Sequence, residues 1–400
     1  MLSSYLDNAR RIRREAWIVL LAAIALGFTW MGLSDAVVNL YLVRMGFGPK
    51  FVGASAAAAN LGYALASMPG AALSRRIGAR RGMIAGTLTW VGGVILLSLS
   101  DLVPAPFVEA WITVTRLAAS GGLALNAVSS QPYLTAVTGG TERPLAFALA
   151  ISLRPLGGFF GSLAGGFLPS LFVRTGDGPL MATLSQPRPF GLTLAVGMLV
   201  YAPVIWALWT LPRDTPDPPV QRRDLQPAGA ALNLEAETAG DDVAWARAPW
   251  AKRAWDRLAA RSRGMPLGTL AAIALVCFLR VGGEFTARTF FSVYGDARWA
   301  MSAAQIGTVI AVASLLSIPA PLVTPALIAR FGRVAIVAAG ATGVAASIGL
   351  LAVGGTWATV SAAFIALTVL AALARSVWSL VIQESVHDVW RPSAAAVANL

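Results

Sequence analysis

The chain has 400 residues, of which 56% are hydrophobic and only 12% charged, with a mean hydropathy of +0.68. Soluble domains carry about 25% charged residues, so a water-soluble globular fold is excluded, and the lack of period-2 alternation excludes a β-barrel. The net charge of +12 suggests nucleic acid only until the charges are sorted along the chain, where they mark one side of a series of apolar segments.

The opening MLSSYLDNARRIRREAW is basic, but the apolar run behind it is too long for a signal peptide and lacks a small-residue cleavage site. It reads as a short cytoplasmic tail. Apolar segments long enough to cross a bilayer core of about 30 Å then predict helices at about 16–43, 51–73, 83–100, 105–137, 144–172 and 189–211. A polar stretch, 213–265, follows. Its first part is rich in Pro and Asp and reads as a flexible linker. Its end, Pro249 to Arg263, sets Trp250 and Trp255 among Lys252, Arg253, Arg257 and Arg261. That pattern suits an amphipathic helix on the membrane surface, and an ordinary solvated linker fits the same residues. Helices resume at about 267–294, 303–328, 334–353 and 357–384, and again from 392. With the N-terminus inside, most of the 31 Lys and Arg lie on the cytoplasmic side, as the positive-inside rule requires. The expectation is an integral inner-membrane protein whose N-terminus and central linker are cytoplasmic. Its surroundings are lipid, not nucleic acid. One Cys, Cys277, and one His, His387, leave no disulfide framework and no His-based metal cluster, so neither a metal nor a cofactor is expected.

The second half repeats the first. Aligning Ile24–Tyr41 with Ile273–Phe290 places Asp35 on Glu284. Phe51-Val52-Gly53 matches Gln305-Ile306-Gly307, LSRRIGARR from Leu73 matches LIARFGRVA from Leu327, and Glu142-Arg143-Pro144 matches Trp390-Arg391-Pro392. Correspondence at several points in the same order argues for an internal repeat. The domains read as 1–212, an N-terminal six-helix bundle; 213–265, the linker; and 266–400, a C-terminal bundle. Leu400 corresponds to about Ser152, early in the fifth span of the first half. The expectation is therefore a twelve-span protein shortened at its C-terminus, with about ten complete spans and the start of the eleventh.

The loop between spans 2 and 3 resembles a signature of the major facilitator superfamily, G-x-x-x-D-R-x-G-R-R. Arg76, Gly78 and Arg80 fit it, with Arg75 at the acidic position and Ala71 at the first glycine. The second-half copy, from Pro325, keeps Arg330, Gly332 and Arg333, with Ala329 at the acidic position. Two copies, each between spans 2 and 3 of a six-span half, carry the resemblance across the whole chain. It implies an all-α polytopic fold of two pseudo-symmetric six-helix bundles around a cavity that opens alternately to either side. It also implies that these loops act in gating, through charge contacts that latch one closed state, although the same arginines also serve to anchor topology. In span 4, Arg116 with Ser120 and Gly122 partly matches a family pattern, R-x-x-x-G-x-G, whose arginine is associated with proton coupling. In span 5, Arg154-Pro155-Leu156-Gly157-Gly158 falls short of the G-P-x-x-G-G of drug–proton antiporters, and its glycines read better as close helix packing.

A charged residue near the middle of a membrane helix costs about 2.5–3.5 kcal/mol, so it must face a wet cavity or a partner. The deep charges are Asp35 on span 1, Arg116 on span 4, Arg154 on span 5, and Arg280, Glu284 and Arg288 on span 7. The last three rise along one side of a helix over about 12 Å. Arg375 on span 10 lies nearer a helix end and reads as snorkelling. The resemblance places spans 1, 4, 7 and 10 around the cavity. The substrate-binding set is then Arg280, Glu284, Arg288, Arg116, Asn39, Tyr41 and Arg154, with Asp35 and Glu284 available to carry a proton. An excess of arginine favours an anionic or zwitterionic solute. The expected function is proton-coupled secondary transport of a small organic solute by a monomer. The alternatives are efflux of a drug-like compound and a receptor-like member that does not transport. No P-loop for ATP and no H-E-x-x-H or G-x-S-x-G motif is present, so an enzyme is not expected.

Overall fold

The computed structural model describes residues 13–139, 142–175, 183, 186–212 and 267–385. Among these, every regular element is helical. Helix α1 runs in three consecutive parts, Arg14–Leu26, a π-helical stretch Gly27–Ser34, and Asp35–Arg44. Glu15 in its first turn and Arg44 in its last each complement the helix dipole. Helix α2 (Pro49–Ile77) opens on proline, where the missing N–H costs no hydrogen bond. Helices α3 (Ala79–Ser98), α4 (Ala105–Val137), α5 (Arg143–Thr175) and α6 (Arg188–Trp209) complete the first set. The second set is α7 (Leu267–Trp299), α8 in two pieces (Ala303–Ser317 and Pro319–Phe331), α9 (Arg333–Val353) and α10 (Trp357–Ser385).

These helices lie close to the positions expected from hydropathy. Two departures have physical causes. Helix α8 breaks at Ile318, because Pro319 lacks an N–H and crowds the preceding turn. Helix α1 widens to π geometry over the two turns before Asp35, an irregularity that hydropathy cannot register. The repeat is visible in the backbone. Gly78 joins α2 to α3 at φ +87°, and Gly332 joins α8 to α9 at φ +78°. Both are left-handed positions that glycine alone occupies without strain.

Seven of the helices, among the described residues, are long and apolar enough to cross a membrane. Large apolar side chains such as Leu65, Met68, Phe107 and Trp206 lie exposed on their outer faces, as expected of surfaces that meet lipid rather than water. Close approach of backbones fixes the packing. A Cβ added to Gly157 or Gly161 of α5 would lie 2.1 Å from the Ile24 carbonyl oxygen or 1.9 Å from that of Phe28 in α1. A Cβ on Gly27 would lie 1.9 Å from the Arg154 carbonyl oxygen. The span-5 glycines thus let α5 sit directly on the π-helical part of α1, a small-residue interface of the kind membrane helices favour. Gly307 of α8 meets Ser162 and Gly166 of α5 in the same way, tying the two repeats together.

Chain contacts divide the protein into one compact unit, Met1–Thr215 with Leu279–Val381, and a second, Pro216–Phe278 with Ile382–Leu400. The first holds the site described below. Of the second, the described residues are the opening turns of α7 and the last residues of α10. The expected linker 213–265, its amphipathic segment and the eleventh helix from 392 lie outside the described residues, and with them the expected boundaries between the three domains.

Candidate functional site

A cavity of about 100 Å³ opens among α1, α2, α3, α4 and α7. Its polar wall is Ser34, Asp35 and Asn39 from α1, Asn60 from α2, Arg116 and Ser120 from α4, and Thr289 from α7; Trp30, Trp90 and Phe285 supply an aromatic wall. The π-helical turns end at Ser34, so the carboxylate of Asp35 enters the cavity where the helix returns to α geometry. The hydroxyl of Ser34 and the side-chain carbonyl of Asn39 are buried and make no hydrogen bond among the described residues. A buried polar atom without a partner costs about 1–3 kcal/mol, and these two border the cavity.

The charges form a chain across the two repeats. Asp35 of α1 lies 3.5 Å from a guanidinium nitrogen of Arg288 on α7. The Nε of Arg288 donates to Glu284 one turn back, at 3.2 Å. Glu284 also accepts from Arg375 of α10. Stacked rings of Phe291 and Phe364, with centroids 4.0 Å apart, hold α10 against α7 about two turns further along α7. The two acids differ sharply in surroundings. The Glu284 side chain is 3% exposed and is shared by two guanidinium groups, whereas that of Asp35 is 29% exposed and meets one, at the edge of bonding distance. Arg116 stands across the cavity. It donates to the Ser55 hydroxyl at 2.8 Å and makes no ion pair among the described residues.

Two further links join α1 to α7. Asn39 donates its amide to the Thr289 carbonyl at 2.8 Å. Arg44 and Asp296 form a bidentate pair, both contacts at 2.7 Å. With Asp35–Arg288 they run from the cavity to the Arg44 end of the bundle, closing α1 on α7 there.

The site residues expected from sequence divide as follows. Asp35, Asn39, Arg116, Glu284 and Arg288 are brought together. The side chain of Arg280 lies outside the described set. Tyr41 is turned away from the cavity. Its hydroxyl bonds the Ser98 carbonyl at 3.2 Å and Asp101 at 3.1–3.3 Å, where the chain turns after α3. Arg154 stands outside the cavity wall, partly buried, with its Nε unbonded among the described residues. Trp30 lines the cavity. Arg375, which reads as snorkelling, reaches Glu284. Of the loop residues, Arg75, Arg76 and Arg330 are exposed at helix ends. Arg80 is engaged locally, donating to the terminal carbonyls of α6 at Leu208 and Trp209, so it caps that helix. Gly78 and Gly332 make the turns, and the side chain of Arg333 lies outside the described set. Among the described residues no cluster of acids, His and Cys could hold a metal ion.

Two helical repeats meeting at a charged cavity are what a facilitator-type transporter requires, and the comparisons agree. The family model of the Major Facilitator Superfamily matches residues 10–400. The chain belongs to this family. It is an integral membrane protein and a secondary transporter, not an enzyme. The D-xylose–proton symporter shares its fold at TM-score 0.68 with 13% identity, over 99% of this chain and 86% of that one. A single-residue mutant of the nucleoside transporter NupG aligns at 0.66 and 13% identity, over 96% and 87%. A variant of the E. coli fucose–proton symporter FucP aligns at 0.55 and 15% identity, over 96% and 88%. No curated protein sequence matches the chain.

Proposed function

We propose that the protein is a proton-coupled transporter of a small organic solute, with Asp35 as the proton carrier. The observation that carries this is the contrast between its two acids. Glu284 is engaged by Arg288 and Arg375 away from the cavity, whereas Asp35 lines it, half free, with one long contact across the repeats. A carboxyl that keeps one repeat tied to the other while ionised, and releases it on taking a proton, links protonation to movement of the repeats. Glu284, expected alongside Asp35 as a second proton carrier, fits better as the anchor that positions Arg288. The excess of guanidinium groups supports an anionic or zwitterionic solute over a cation. Two of the similar structures are of proton symporters, which supports the same coupling ion here.

In this reading the N-terminus faces the cytoplasm across an inner membrane. The Arg44–Asp296 pair then closes the outer end, and a single chain suffices for transport. The full-length protein in liposomes, given an imposed pH gradient and a panel of labelled solutes, tests the proposal. Gradient-dependent accumulation of at least one organic solute is expected. Flux that ignores the gradient refutes proton coupling, and ligand binding with no flux of any solute favours a receptor-like member.

A further inference from the structure

The charges around the cavity specify more than a sign. Among the described side chains, Arg116 and Asp35 line the cavity, and with the ion-pair chain that leads away from Asp35 they make three guanidinium groups (Arg116, Arg288 and Arg375) against two carboxylates (Asp35 and Glu284). Arg288 and Arg375 are accounted for by their acids. The cation in the cavity wall without an acid bonded to it is Arg116, whose only bond among the described residues is to the neutral Ser55 hydroxyl. Lining the same cavity, the buried Ser34 hydroxyl has no partner among the described residues and can donate to an anion. Other charges near α1 do not alter this count. Arg154 of α5, which pairs with no acid among the described residues, stands outside the cavity wall, Arg188 of α6 is held by Asp101 at 3.1 Å, and the stretch of α8 packed on α5 and α1, Ala303–Ser317, has no charged residue. The side chain of Arg280, one turn before Glu284, lies outside the described set.

We infer that the site takes up one small monocarboxylate together with one proton, the carboxylate on Arg116 and Ser34 and the proton on Asp35. This rests on the transporter reading above and deepens it. One uncompensated guanidinium balances one negative charge, and a dianion overshoots it. A cation has only Asp35 to bind, where it competes with the proton, whereas an anion has a separate seat and co-binds with it. When Asp35 takes the proton, Arg288 loses one of its two acids and the positive excess grows from one to two. The carboxylate then returns it to one. The empty and the loaded protein thus carry the same charge in the membrane, so neither step works against the field of the bilayer. By linkage, the proton strengthens anion binding and the anion strengthens proton binding by the same factor. A cavity of about 100 Å³ with Trp30, Trp90 and Phe285 on one side suits a compact acid with an apolar body.

The test uses the purified full-length protein with lactate and benzoate, their neutral amides, and succinate as dianion. The monocarboxylates are expected to bind, the amides to bind at least tenfold more weakly, and binding in weakly buffered solution to take up close to one proton per anion. Affinity should rise by up to tenfold per unit fall in pH across the titration of Asp35. Asp35→Asn should bind the monocarboxylate tightly at every pH with no proton uptake. Arg116→Gln should weaken binding about ten- to hundredfold, and Arg116→Lys should restore part of it, separating loss of charge from loss of fold. Pinning the membrane potential at different values in liposomes should leave the monocarboxylate flux unchanged. Preference for succinate or for an amide, proton release on binding, or no monocarboxylate binding overturns the inference. If a neutral or cationic solute is still driven by the pH gradient, the transporter reading stands and only the substrate assignment falls.

Discussion

Replacing Glu284 by Gln tests whether this acid is a structural anchor. The side chain is 3% exposed and engages guanidinium groups on its own helix, Arg288, and on α10, Arg375. The amide keeps the shape and removes the charge, leaving the buried Arg288 with only its long contact to Asp35 and the more exposed Arg375 without its acid. Removing one partner of a buried ion pair costs about 3–5 kcal/mol. At about 2 cal/mol/K of unfolding entropy per residue, that lowers the melting temperature of a helical unit of this size by roughly 5–8 °C. Asp35→Asn removes one contact at 3.5 Å from a side chain that is 29% exposed, so the loss should stay near the roughly 0–1 kcal/mol of a solvated pair. Thermal unfolding of both variants in detergent, followed by tryptophan fluorescence or scanning calorimetry, gives the comparison. A Glu284→Gln/Arg375→Gln double variant should recover part of the loss, because it removes one stranded charge. If Glu284→Gln melts with Asp35→Asn, within about 1 °C, the anchor assignment is wrong.

The remaining predictions follow from named contacts. Gly161→Val should prevent α5 from seating on α1, since even a Cβ would lie 1.9 Å from the Phe28 carbonyl oxygen; failure to recover monodisperse protein is expected, and a normal yield with normal melting contradicts the packing. Arg44→Gln should loosen the α1–α7 closure, where both contacts are 2.7 Å, and raise thiol labelling of a cysteine placed at Thr289 by severalfold; unchanged labelling contradicts a closing role. Tyr41→Phe should leave solute affinity within about twofold, because its hydroxyl serves Ser98 and Asp101 rather than the cavity; a tenfold loss of affinity contradicts that placement.

What the sequence made legible follows from what hydropathy and repetition encode. The positions of the helices were readable because each must stay apolar across the bilayer. Asp35 and Glu284 stood out because a charge inside such a segment has no cheap explanation. The glycines of α5 were readable as packing because small residues are what close helix approach demands. What escaped the sequence depends on rotation and register. Arg375 sits near a helix end, so its reach to Glu284 depends on how α10 turns against α7 at Phe291 and Phe364. Tyr41 is on the cavity helix, but its hydroxyl is drawn to the turn at Asp101. Arg44 and Asp296 both read as charges near helix ends, and only the pairing of α1 with α7 makes them one contact. The π-helical turns before Asp35 leave no compositional trace. Asn60 and Trp90 are ordinary in an apolar helix until the bundle sets them in the cavity wall, and Ser55 until it meets Arg116.

The central claim is that Asp35 couples solute movement to the proton, and one comparison in liposomes addresses it directly. Wild type and Asp35→Asn are loaded with unlabelled solute, and uptake of labelled solute is followed both as exchange at equal pH and as accumulation under a pH gradient. Asp35→Asn is expected to retain exchange and to lose gradient-driven accumulation. Accumulation at the wild-type level in that variant contradicts it.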